Sequence, residues 1–292
     1  VGTAGKFRRT GILTPEFSWQ WVDKEMDTFD KRTQDPYVIS KEQIEFIRKE
    51  IFPYWKGKSL EEVFLARIPE DTAKILVDTG IIDNDSKWRQ AVGEVTPDYQ
   101  DILFVKGYKG IKEDADKKIK ELDISVSENI EKIDFYKSVS IVAQGIMTLA
   151  QRYSNLAKEM SKQETDEKRK LELIKISEIC MNVPANPPTN FYEAIQFVWF
   201  VQLGGILSEN PLALNLGRFD QYMYPYYEND VREGKITESE AQELIEALWI
   251  KLSEREWTIS ANTANYFAGY NQFQNLTVGG KKRNYLVLLD SL

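Results

Sequence analysis

The chain has 292 residues, 42% of them hydrophobic and 12% aromatic, with a formal net charge of −8; that is enough apolar side chain to build one large domain or two ordinary ones. The acidic balance, with a pI near 5.0, argues against nucleic acid as a partner, because phosphate binding needs a basic surface. A single cysteine, Cys180, excludes an internal disulfide, and the lack of any His excludes Ser-His and Cys-His nucleophiles, His-ligated metal and imidazole acid–base work, leaving proton transfer to carboxylates, Tyr or Lys.

Residues 1–15 are rich in Gly, Thr and Lys and read as a loop. Lys6, Arg8 and Arg9 have no apolar run behind them, so no signal peptide is read there, and a cytoplasmic location is expected. The order of Phe17, Trp21, Val22, Glu25 and Phe29 predicts a short helix. Ser40 and Gln43 form a capping box for the next one, whose stripe is Ile44, Ile47 and Ile51 and which Pro53 is expected to stop. Ser59 and Glu62 repeat the signature for a helix through Leu65. Residues 83–110 mix turn formers with single apolar residues and read as an irregular functional segment. Trp88, Val92, Val95, Tyr99, Ile102 and Phe104 argue against disorder there, since they offer surface worth burying.

From Glu128 the pattern is strongly helical, with Val139, Val142, Ile146, Leu149, Tyr153, Leu156 and Met160 as its stripe; Leu171, Ile174 and Ile179 predict an antiparallel partner after a charged turn. Cys180, at the end of that second stripe, reads as a buried structural thiol. VPANPP at 183–188 is a break, and Asn190 with Glu193 caps a helix running to about Leu203, apolar on most sides and so expected to be buried. No stretch is long and apolar enough to span a bilayer; the nearest, residues 197–207, is broken by Gln202. Gly204-Gly205 and Gly279-Gly280 read as turns, and Asn275 to Val278 as a short strand. Thr237 and Glu240 cap a further helix with the stripe Ala241, Leu244, Ile245, Leu248 and Leu252.

Residues 210–231, NPLALNLGRFDQYMYPYYENDV, concentrate the unusual chemistry. Phe219, Tyr222, Met223, Tyr226 and Tyr227 gather on one wide helical face, Pro225 is expected to end or bend that helix, and Arg218 with Asp220 reads as a structural ion pair at its start. LGRFDQYMYPYYENDV, followed by ITESEAQELIEALWIKLSE and GYNQFQNLTVGG, resembles the pyruvate formate-lyase-like glycyl radical enzymes, and among them the glycerol and diol dehydratase branch. The resemblance extends back to about Phe17.

That resemblance implies a fold that is mainly α, contributing peripheral helices and the first strands of a ten-stranded α/β barrel. Residues 1–292 would form part of one such domain. The family's Gly-Cys-Val-Glu and Arg-Val-x-Gly-Tyr types of segment, which carry the radical Cys and Gly, do not occur in the chain. No catalytic radical residue and no metal site is therefore assigned to it. The family needs a glycyl radical installed by a radical SAM activating enzyme, which is the implied protein partner alongside a small-molecule substrate. A barrel sheet with open edges also leads us to expect self-association.

The position at which glycerol-directed relatives carry His is occupied here by Glu94, in AVGEVTPDY, and a polar position six before the Arg of the GRFDQ-like motif is occupied by Leu212. Both departures argue against glycerol itself. The substrate-binding candidates are Glu94, able to accept a hydroxyl's hydrogen bond or take its proton; Arg89, a nearby cation; and the neutral amides Asn210 and Asn215. The expected function is radical cleavage of a carbon–oxygen bond in a polyol or sugar-derived substrate. Formate acetyltransferase activity and a catalytically dead helical scaffold are the alternatives.

Overall fold

The computed structural model describes residues 10–79, 93–267, 269 and 274–279. In chain order they form β1 (Thr10–Gly11), α1 (Pro15–Glu25), a 3-10 turn (Met26–Lys31), α2 (Lys41–Phe46), a π turn (Ile47–Ile51), α3 (Phe52–Trp55), α4 (Leu60–Leu65) and α5 (Glu70–Thr79). Then come β2 (Glu94–Val95), a second π turn (Tyr99–Leu103), α6 (Phe104–Glu121), α7 (Ser127–Gln163), α8 (Glu167–Asn182) and α9 (Phe191–Glu209). The last elements are β3 (Ala213–Leu214), α10 (Phe219–Arg232), α11 (Glu238–Leu252), β4 (Arg255–Glu256) and α12 (Ala261–Phe267). The architecture is mainly α, as expected, and among the described residues the strands form two short parallel pairs, β1 with β4 and β2 with β3.

The caps stand where the sequence places them. Ser40 Oγ accepts from the Gln43 N–H while Gln43 Oε1 accepts from the Ser40 N–H, Asn190 Oδ1 accepts from the Glu193 N–H, and Thr237 and Glu240 close a second complete box. Ser40 is solvent-exposed, so Ser40→Ala should remove cap energy and little else. It is expected to lower stability by about 1 kcal/mol, seen as a lower urea midpoint at an unchanged denaturant slope; an unmoved midpoint would mean that the box contributes nothing.

α9 is the spine of the main core. Phe191, Ala194, Phe197, Val198, Trp199, Val201 and Leu203 are buried all round it, against Tyr99, Leu103 and Phe104 from the second π turn and α6, Phe219, Tyr222 and Met223 from α10, and Ala241 and Leu248 from α11. Gly204 and Gly205 are interior residues of this helix, not a turn. A Cβ on Gly204 would come within 2.7 Å of Ile146 on α7, and one on Gly205 within 2.8 Å of Leu214 on β3. The glycines let a helix and a strand approach the spine, and that is why a helix tolerates them there.

Three further expectations are corrected. Pro53 does not stop the second helix. The chain passes through the π turn and restarts as α3, with Pro53 in its first turn, where a missing N–H is harmless. Pro225 does not end α10, which runs unbroken from Phe219 to Arg232. An interior Pro costs about 3 kcal/mol, and aromatic contacts on both sides of it offset that: Tyr222 stacks on Tyr99 at 4.9 Å and Tyr227 meets Phe191 at 5.8 Å. The stripe read on α7 finds the helix but only part of its buried face, through Ile146, Leu149 and Tyr153. Ala143, Ile146, Ala150, Ser154, Ala157 and Ser161 are buried, while Val142, Leu156 and Met160 are exposed. Small residues let α7 and α8 lie close, and Ser154 Oγ donates across that interface to the Ser177 carbonyl at 2.7 Å.

The N-terminal helices have their own core of Trp21, Val22, Met26, Phe29, Tyr37 and Phe52. The Tyr37 hydroxyl docks it onto the segment after β4, donating to the Trp257 carbonyl at 2.9 Å and accepting from the Ile259 N–H at 3.2 Å. Burial pushes that phenol far above its ordinary pKa, so the donor is always protonated. Arg32 adds a bond to the Ile259 carbonyl at 2.7 Å and an ion pair with Glu25.

Candidate functional site

The parallel pair β2–β3 brings together two stretches more than a hundred residues apart, with Glu94 opposite Ala213 and Val95 opposite Leu214. A third segment continues the ladder. The Leu216 N–H donates to the Asn275 carbonyl at 3.0 Å and the Thr277 N–H to the Gly217 carbonyl at 2.8 Å, around an isolated parallel bridge between Gly217 and Leu276. The strand expected over 275–278 is thus present as this single bridge.

Side chains alternate across a strand. Val95, Leu214 and Leu216 fall on the face covered by α9, where Leu214 reaches Gly205. Glu94, Thr96 and Asn215 fall on the other, and Glu94 and Thr96 are exposed there. Among the described residues Glu94 has no hydrogen-bond or ion-pair partner. The Asn215 amide is engaged on both sides: Nδ2 donates to Thr96 Oγ1 at 3.1 Å, and Oδ1 accepts from the Asn275 N–H at 3.0 Å. Its own N–H donates to the Val95 carbonyl at 2.8 Å.

The other two candidates are placed differently. Asn210 is fully buried with φ +41°, ending α9 in a left-handed conformation while its N–H donates to the Ile206 carbonyl at 3.2 Å. This is a helix-capping position for which Asn is suited. Arg89 lies outside the described residues, as does Trp88. Leu212 packs against the small cluster of Trp257, Ile259 and Ala264.

Asp220, expected as an ion-pair partner for Arg218, has another role. It is buried in the first turn of α10, and its Oδ2 accepts from the Gly279 N–H at 2.7 Å and from Gln221 Nε2 at 2.9 Å. It ties down the far end of the third segment, and an anion is favoured at that helix end. The sequence signal was present, an Asp at the second helical position, but its partner lies 59 residues away. Cys180 is buried beside Ala150 and Phe200, and burial pushes its thiol up to about 11, which suits a structural residue and not a nucleophile.

A cavity of about 850 Å³ lies elsewhere, between α8, the start of α9, the end of α10 and α11. Three of its carboxylates are occupied by the fold: Glu193 accepts from Thr189, Glu240 from Thr237, and Asp230 from the Phe191 N–H. Among the described residues no group of three His, Cys, Asp or Glu is arranged to hold a metal, and no helix is long and apolar enough to cross a membrane.

Comparison with known proteins places this geometry in context. Residues 1–291 match the family described as pyruvate formate lyase-like. The chain is 35% identical over 290 residues to isethionate sulfite-lyase of Oleidesulfovibrio alaskensis, covering 96% of the chain and 35% of that protein. Its structure superposes on the glycerol-bound B12-independent glycerol dehydratase of Clostridium butyricum with a TM-score of 0.83 at 34% identity, covering 98% of the chain and 36% of that one. A glycyl radical enzyme from Archaeoglobus fulgidus gives a TM-score of 0.80 at 33% identity, covering 93% of the chain and 34% of that structure. The chain therefore spans about a third of the length of the relatives it matches.

Proposed function

Since the chain belongs to the pyruvate formate lyase-like family of glycyl radical enzymes, we propose that it forms one wall of the substrate cavity in a radical lyase or dehydratase that breaks a carbon–oxygen bond of a polyol or sugar-derived substrate, phosphorylated or not. The observation that carries this reading is the exposed Glu94 carboxylate, without a partner among the described residues, beside Thr96 and Asn215 on one face of three parallel segments. A free carboxylate there is suited to accept a substrate hydroxyl's hydrogen bond, or its proton as the hydroxyl-bearing carbon reacts. The chain's own residues would bind and orient the substrate, while the radical chemistry would come from the family's radical Gly and Cys segments, which do not occur in this chain.

The test uses the enzyme that carries this segment, activated anaerobically by its radical SAM partner and offered vicinal diols and polyols. Appearance of a carbonyl product with loss of water supports the reading. Turnover of pyruvate to formate with coenzyme A instead would overturn it. The 292-residue chain by itself is expected to show no glycyl radical by electron paramagnetic resonance after the same treatment, because neither radical-bearing segment occurs in it. A radical signal on that chain would contradict this assignment of parts.

A further inference from the structure

We infer that Asn215 is a positioning residue: its one amide fixes the register of the strand that carries Glu94 against the segment at 275–277. This rests on the proposed role of Glu94 and extends it. Three observations support it. First, the ladders themselves are short. β2 and β3 are two residues each, and the third segment joins by a single bridge. Few backbone bonds hold such strands, and a slip of one residue would turn Glu94 to the opposite face.

Second, Asn215 is the central residue of the three-segment arrangement, and its donor and acceptor are spent in opposite directions, on Thr96 Oγ1 at 3.1 Å and on the Asn275 N–H at 3.0 Å. An amide carries its donor and its acceptor on separate atoms of one planar group, so it can bond in two directions at once. Third, the Thr96 tether sits two residues after Glu94, on the same face. A shifted β2 would lose the Thr96 tether as well as move the carboxylate. With Asp220 holding Gly279 at 2.7 Å, the third segment is pinned at both ends, and Asn215 transmits that fixed position to β2.

Two side-chain replacements separate this role from general packing. Asn215→Ala removes both tethers. Asn215→Asp keeps an oxygen for the Asn275 N–H and offers the other to the Thr96 hydroxyl, which can turn to donate. On the 292-residue chain, hydrogen exchange of the Asn275 amide should speed up by about fivefold or more in Asn215→Ala, the worth of one net hydrogen bond, and return to the parent rate in Asn215→Asp. Unchanged exchange in Asn215→Ala would overturn the inference, whatever the activity measurements show.

In the activated enzyme, Asn215→Ala should lower kcat by about 10- to 100-fold, the scale of a small misplacement of a reacting group. The double variant Glu94→Gln/Asn215→Ala should be no slower than Glu94→Gln alone, because Asn215 acts through Glu94. Additive losses would mean that Asn215 acts by another route and would overturn the positioning role. If Glu94→Gln were itself without effect, the reading of Glu94 would fall while the exchange result still judged the clamp.

Discussion

Glu94→Gln is expected to lower turnover of the enzyme carrying this segment by about 10²–10⁴-fold, the usual worth of general acid–base help, while leaving the melting temperature in place. The two halves of this expectation come from the same structural fact. Glu94 is exposed and has no partner among the described residues, so removing its charge breaks no bond that the fold uses. Substitutions at such positions stay within about 0.5 kcal/mol. Gln keeps the size and the hydrogen-bonding oxygen of the side chain and removes only its capacity to take a proton and to attract a donor strongly. The split between rate and stability is what identifies a substrate-facing group. A Gln variant with parent kinetics would return Glu94 to the status of an exposed surface charge, and the substrate assignment would rest on family resemblance alone.

Gly107→Ala should destabilise the chain by about 3 kcal/mol or more, the sum of a backbone region that only Gly occupies readily and a backbone clash. Gly107 has φ +61° and ψ 175° near the start of α6. A Cβ built there lies 2.3 Å from the Ala185 carbonyl oxygen and 2.8 Å from the Asn186 carbonyl carbon; neither belongs to a side chain that could swing away. The close approach is held by the Tyr108 N–H on the Pro184 carbonyl and the Lys109 N–H on the Ala185 carbonyl, each at 2.9 Å. Gly57 serves as the control. It also has positive φ, +79°, but faces open space, so Gly57→Ala should cost only about 1 kcal/mol in backbone preference. Denaturant midpoints for the pair test the idea, and equal losses would show that the 107–185 contact is not what makes Gly107 necessary.

The helices that could be read from the sequence were those whose signals are local. Ser40–Gln43 and Thr237–Glu240 bond within four residues of themselves, and α9 is so uniformly apolar that its burial follows from composition. α6 was not legible. Its apolar residues Ile111, Ala115 and Ile119 make a thin stripe, and it is supported by pairs such as Lys112–Asp116 at 2.6 Å and by Ser140 donating to Asp116 from α7. Such weak local signals are decided by what packs alongside. The α7 stripe was only partly right for a related reason. Periodicity locates a helix, but the face that turns inward depends on its neighbour, and here small residues won because they bring α8 closer.

For the candidate site, the sequence offered residue types in two stretches: a carboxylate at 94 in an irregular segment, and amides in the 210–217 loop. Local chemistry settles such things, since turn formers, caps and the absence of His act over a few positions. Their partnership was not legible. Register between β2 and β3, the engagement of Asn215 on both of its sides, and the bond from Gly279 to Asp220 across 59 positions all depend on which distant backbone comes to lie alongside. No short-range preference of the chain encodes that choice; the burial of α9, which draws β3 onto Gly205, makes it.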